Sequence, residues 1–220
     1  MPVSTLALND GTEVSWIAFG TGTALLGRDA TKIVSVAIQN GFTHLDGAQM
    51  YLNEASLGAG IAASRKPRSE LYITTKLASL APGETPKSAL VKSLERLDVD
   101  YVDLYLVHQP RQHVGRLKEV WKGMEEAKTA GLTKSIGVSN FTADHLKEIL
   151  EVATVLPAVN QVMHASPRRS PLIHRSWIGS SSPIYMESSR AQLCTSRKIW
   201  HRDCLLWRAI THRPLQGWTS

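Results

Sequence analysis

Leu71-Tyr72-Ile73-Thr74-Thr75 is a β-branched and aromatic run that closes on Lys76. Such a run favours a strand, because branched side chains pack well on a pleated surface. The same kind of run recurs on both sides of it. Thr43-His44-Leu45 closes on Asp46, Val102 to Val107 closes on His108, and Ser135-Ile136-Gly137 closes on Val138. These strand ends are separated by 30, 32 and 30 residues. Ile17-Ala18-Phe19 precedes the series, and Val159 to Val162 begins a sixth strand after it.

The segments between the runs carry helical periodicity. One helix is expected from about Asp29, with Ile33, Val36 and Ala37 inward and Gly41 as its C-terminal cap. Glu54 to Ala63 is expected to bury Leu57 and Ile61. Thr85-Pro86 reads as an N-cap and first helical residue, followed by the stripe Leu90, Leu94, Leu97. Val114, Leu117, Trp121 and Met124 stripe a long helix ending before Gly131, and Thr142 caps one running through Leu150. Asn9-Asp10-Gly11 reads as a hairpin turn between Leu6–Leu8 and Val14–Ile17.

Alternating strands and helices imply parallel strands joined by crossovers. The near-constant repeat favours a (β/α)8 TIM barrel, each strand followed by its own helix. A doubly wound sheet should carry a glycine-rich fingerprint after its first strand, and Gly20-Thr21-Gly22-Thr23 is too short for one. About six strands are recognisable, so the expectation is an incomplete α/β barrel with an N-terminal β-hairpin and two open strand edges.

Composition bounds the rest. The 220 residues are 43% hydrophobic and 20% charged, with 15 Gly and 10 Pro, which excludes collagen-like and low-complexity classes. No apolar run approaches membrane-spanning length, and Met1-Pro2-Val3-Ser4 opens no signal-like stretch, so a cytoplasmic protein without a membrane partner is expected. Two cysteines give no disulfide framework.

The net charge of +6 is uneven. Residues 166–220 hold eight Arg and Lys198 against Glu187 and Asp203, together with ten Ser and four of the six Trp. So sharp a break marks a boundary, and the chain divides into a barrel-like part, 1–165, and a basic Ser/Arg/Trp-rich tail, 166–220, of no recognised fold. The tail could be read as a nucleic-acid-binding arm, since interleaved Arg and aromatics suit single strands, but no known module accompanies it. Cys194, Cys204 and His201 do not have the usual zinc-ligand spacing, so no metal is expected. A shifted reading frame would also produce such a composition, and a transcript encoding this tail in frame would count against that explanation.

In a barrel the chemistry lies where the strands end. Asp46, Lys76 and His108 sit at three such ends, and Tyr51 follows Asp46 in the next loop. Singly, each has an ordinary reading as a turn, surface, packing or core residue. Together they make a proton-transfer set. A lysine ammonium beside a phenol lowers the phenol's pKa, a carboxylate keeps the lysine charged, and a neutral histidine donates to an oxygen as it gains charge. With no activated nucleophile evident, a cofactor hydride is the natural attacker.

Leu45-Asp46-Gly47-Ala48-Gln49-Met50-Tyr51-Leu52-Asn53-Glu54, Ile73-Thr74-Thr75-Lys76, Leu106-Val107-His108, Ile136-Gly137-Val138-Ser139-Asn140-Phe141 and Val159-Asn160-Gln161-Val162 resemble, in order and spacing, the signatures of the aldo-keto reductases. The resemblance spans roughly residues 5–162 and stops there. It implies a barrel enzyme that reduces an aldehyde or ketone with NADPH. By the same resemblance Tyr51 is the general acid, Lys76 tunes it, Asp46 partners Lys76, and His108 orients the substrate carbonyl. Ser139, Asn140 and Gln161 would hold the nicotinamide carboxamide, with Thr21 and Asp46 also beside the cofactor. Two departures stand out: Gly47 where the family usually has Thr, and Gln109 where it often has an aromatic residue. The competing expectation is an impaired, truncated relative that acts, if at all, as a binding protein.

Overall fold

The computed structural model describes residues 4–163 together with the strands 185–189 and 204–209. β1 (Thr5–Ala7) and β2 (Glu13–Ser15) form an antiparallel hairpin separate from the main sheet. Its turn reaches φ 82° at Gly11, where a side chain would be strained. The pairing runs slightly nearer the N-terminus than expected, and Ile17 belongs to the next strand.

Five strand–helix units follow. β3 (Ile17–Gly20), β4 (His44–Asp46), β5 (Tyr72–Leu77), β6 (Val102–Val107) and β7 (Thr133–Ser139) alternate with α1 (Thr31–Gln39), α2 (Glu54–Ser64), α3 (Pro86–Leu97), α4 (Leu117–Thr129) and α5 (Ala143–Leu150). β8 (Asn160–Met163) is the sixth strand, and β3 to β8 pair in parallel in sequence order. The (β/α)8 pattern is thus incomplete. The two open edges expected from the sequence are nevertheless paired. β9 (Tyr185–Ser189) lies parallel to β8, and β10 (Cys204–Ala209) runs antiparallel to both β9 and β3. Two short strands of the tail therefore close the ring, one against the direction of the others. The boundary at 165/166, the zinc reading of Cys194, Cys204 and His201 and the nucleic-acid reading of the tail lie outside the described residues or their side chains.

Local chemistry explains the helix starts. Thr85 and Thr142 each accept from the backbone N–H three residues on, and Ser88 and His145 reciprocate, giving two capping boxes. Two expectations shift. α1 buries Val34, Ala37 and Ile38, with Ile33 only partly covered. Val114 lies outside α4, 80% exposed, because the chain makes a short 3-10 turn over Pro110–His113 before the helix begins at Leu117.

Strand alternation sorts the side chains. Thr75 and Tyr105 face outward, bonding Glu54 of α2 and the Pro86 carbonyl of α3. Leu45, Ile73 and Val107 join them in the apolar layer beneath the helices, with Leu57, Leu90 and Trp121. Inside the ring, Ala18, Leu104, Leu106 and Val159 pack with Leu8 and Val14 of the hairpin, which plugs the end where the strands begin. Residues of the same inward parity as Leu104 and Leu106 include His108, and His44, Asp46, Thr74 and Lys76 are likewise buried inside. The opposite end is left for polar side chains.

Candidate active site

Asp46 ends β4, Lys76 lies near the end of β5, His108 directly follows β6, Ser139 ends β7, and Gln161 lies on β8. The barrel therefore brings five of the residues singled out in the sequence to one mouth. Lys76 is 1% exposed and Asp46 fully buried. The Lys76 ammonium donates to Asp46 Oδ1, to the Gly47 carbonyl at 2.9 Å and to Tyr51 Oη at 3.2 Å. An ammonium has three N–H groups and no acceptor, so all three are engaged. The Tyr51 hydrogen therefore cannot point back at Lys76 and is left to be donated away from it.

Tyr51 is fixed through its loop. It ends a 3-10 turn, Gln49–Tyr51, after which Leu52 takes a left-handed conformation, φ 55°. Gln49 accepts from the Ala78 N–H at 2.8 Å and donates to Ala89 O and Ser93 Oγ. Asn53 donates to Thr21 O and Leu25 O, each at 2.8 Å, and the Tyr51 carbonyl accepts from Gly27 N–H. The sequence reading missed Gln49 and Asn53 as supports. Only their place on either side of Tyr51 hinted at that role.

Gly22 was missed as well. A Cβ there would lie 2.9 Å from Tyr51 Cζ, so the phenol ring rests against bare backbone. At Gly47, which stands where the family usually has Thr, a Cβ would meet Leu57 Cδ2 at 2.8 Å. The absent side chain is thus matched by a leucine filling its space.

His108 packs edge-on to Tyr51, ring centroids 5.6 Å apart. Burial lowers its pKa to about 4, and the Lys76 charge adds to the effect, so the ring is neutral near pH 7. Burial also opposes the Lys76 ammonium, yet the Asp46 carboxylate and the Tyr51 oxygen hold its pKa above the usual lysine value. Tyr51 differs from the sequence expectation. Lys76 does pull its pKa down, but burial pushes harder the other way and Asp46 adds to it, so the phenol ends above its ordinary value and keeps its proton at neutral pH.

A neutral network adjoins these groups. Ser139 Oγ donates to Gln161 O at 2.7 Å, and Asn140 Nδ2 donates to Ser139 Oγ at 3.0 Å and to His108 O at 3.2 Å. Gln161 Nε2 donates to Asp46 Oδ2 at 2.6 Å, and Thr21 Oγ1 donates to the Asp46 carbonyl at 3.3 Å. Amides and a hydroxyl, with no charge among them, suit an uncharged carboxamide better than a phosphate. The donor set fits the nicotinamide end of a dinucleotide. Among the described residues no group of His, Cys, Asp and Glu could hold a metal, and no helix is long and apolar enough to cross a membrane.

Comparison with known proteins accords with this geometry. The Aldo/keto reductase family matches over residues 16–170. The chain is 42% identical over 166 residues to the glyoxal reductase of Bacillus subtilis, covering 74% of this chain and 59% of that one. It is 45% identical over 159 residues to an aldo-keto reductase of Mycobacterium ulcerans, covering 71% and 56%. Among solved structures, a Bombyx mori aldo-keto reductase in complex with NADP superposes with a TM-score of 0.66 at 34% identity, covering 74% of this chain and 59% of that one. The chain spans less than two thirds of the length of each of these proteins.

Proposed function

The chain belongs to the aldo/keto reductase family, and on that premise we propose that it reduces a small aldehyde or ketone to the alcohol with NADPH, Tyr51 supplying the proton. When bound, the dinucleotide supplies the hydride that attacks the carbonyl carbon. Ser139, Asn140 and Gln161 would hold the carboxamide, with Thr21 and Asp46 alongside. Neutral His108 donates a hydrogen bond to the substrate oxygen and orients it. As negative charge grows there, the Tyr51 O–H bond breaks, the proton passes to that oxygen, and the nearby Lys76 ammonium stabilises the phenolate left behind.

One observation carries this reading. The three N–H groups of Lys76 are all committed, one of them to Tyr51 Oη, so the phenol must direct its hydrogen away from the lysine. The similarity to a glyoxal reductase makes glyoxal a sensible first substrate. The test is NADPH oxidation with glyoxal by the purified 220-residue chain and by its Tyr51→Phe variant. Wild-type turnover should fall about a hundredfold or more in the variant, with NADPH binding retained. Equal rates in the two would overturn the assignment of Tyr51.

A further inference from the structure

We propose that the site selects carbonyl compounds bearing a second, anionic group, and that Arg111 recognises that group; this rests on the carbonyl-reductase reading above. The loops at the mouth differ sharply in charge. Gly47–Asn53, which carries Tyr51, has no ionisable residue except Tyr51 itself, and 140–142 has none. Glu84 pairs with Lys92 at 2.8 Å, and Arg116 pairs with Glu119 at 2.8 Å. Asp29 accepts from the backbone and hydroxyl of Thr31. Asp46 is buried beneath the mouth and committed to Lys76 and Gln161.

Two exposed arginines of these loops, Arg28 and Arg111, have no carboxylate among their described ties; Arg111 is the one whose guanidinium is held, its Nε donating to the neutral Oε1 of Gln109. It sits in the 3-10 turn Pro110–His113, three residues past His108, and its charge reaches the His108 ring. Gln112 Nε2 contacts Met50 Sδ at 3.1 Å, tying the same turn to the residue before Tyr51. The turn thus stands over the His108–Tyr51 side of the mouth.

The way the guanidinium is held matters. With Nε fixed by Gln109, the two terminal nitrogens remain as a planar pair of donors, the arrangement that grips a carboxylate or phosphate through two parallel hydrogen bonds. Gln109 is the residue where the family often has an aromatic side chain. Here a polar residue orients a cation instead of forming an apolar wall. The anionic substituent of a substrate whose carbonyl lies at His108 and Tyr51 is therefore placed against the turn that carries this guanidinium.

Paired substrates test it. Initial rates are measured with 4-carboxybenzaldehyde against methyl 4-formylbenzoate, and with glyceraldehyde 3-phosphate against glyceraldehyde, for wild type, Arg111→Gln and Arg111→Lys. KM for at least one anionic member should rise about tenfold in Arg111→Gln with kcat little changed, while the neutral member of that pair shifts less than about twofold. Arg111→Lys should recover only part of the loss, because it keeps the charge without the fork. The pair that responds identifies carboxylate or phosphate. Equal effects on charged and neutral members, or none, would overturn the role of Arg111 while leaving the reductase reading intact. Failure to reduce any of the four aldehydes would overturn both.

Discussion

Gln161 on β8 reaches across the barrel mouth to Asp46 on β4, its Nε2 donating to Asp46 Oδ2 at 2.6 Å. With Lys76 on the other carboxylate oxygen, a fully buried anion is satisfied from two directions. The bond joins strands on opposite sides of the sheet, so one side chain serves both the proton-transfer set and the neutral amide network. Gln161→Leu keeps the bulk and removes the donor. It should destabilise the protein by about 2 kcal/mol, the usual cost of removing a hydrogen bond to a buried charge. Urea unfolding checks this, and an unchanged midpoint would mean that Asp46 needs no second donor.

The Lys76–Asp46 pair is buried, so each partner alone is a liability. Lys76→Met leaves an uncompensated carboxylate, and Asp46→Asn leaves an ammonium with only neutral acceptors. Each should cost about 3 kcal/mol or more. The double variant should cost less than the two singles combined, by about 2 kcal/mol. A double-mutant cycle by urea unfolding measures that coupling. Additive losses would mean that the two charges do not depend on each other for burial.

The sequence made the strand ends legible because β-branched runs closing on a charge recur at a near-constant interval, and threonines at the starts of α3 and α5 announced their caps. It did not show how Tyr51 is held. Gln49 reaches partners 29 to 44 residues away and Asn53 reaches residues 28 and 32 positions back, contacts that no local pattern encodes. The net acidity of Tyr51 is illegible for a related reason: Lys76 lowers its pKa as the motif implies, yet the balance lies with burial. The neighbouring lysine could be read from the motif, but the depth of burial that outweighs it depends on the whole ring. Val114 fits a helical stripe by spacing alone, and only the turn at Pro110–His113 removes it.

Gly22 belongs among those contacts too, and it gives a separable prediction. Its φ of −76° is ordinary, so alanine there carries no backbone penalty. The added methyl would instead press on the Tyr51 ring at 2.9 Å. Gly22→Ala should move the phenol and lower kcat about tenfold or more, since small misplacements of reacting groups are costly. Its melting temperature should stay within a few degrees of wild type. A normal kcat in this variant would show that the ring tolerates displacement.

His44 and His108 should shape the acid limb of stability. Burial holds both near pKa 4, against an ordinary value of 6.5. Between those pH values the unfolded chain binds a proton at each ring and the folded chain does not, so stability rises with pH. The contribution is complete above about pH 6.5 and is lost as pH falls toward 4. Each ring adds up to about one proton, or roughly 1.4 kcal/mol per pH unit, to the slope. Urea unfolding at a series of pH values should therefore show a shallower dependence for His108→Gln than for wild type in this window. The same neutrality means that protonation of His108 should leave no inflection near pH 6.5 in kcat/KM. An unchanged stability slope in the variant, or an inflection near 6.5 that His108→Gln abolishes, would show that the ring charges at an ordinary pH and is not held neutral against Tyr51.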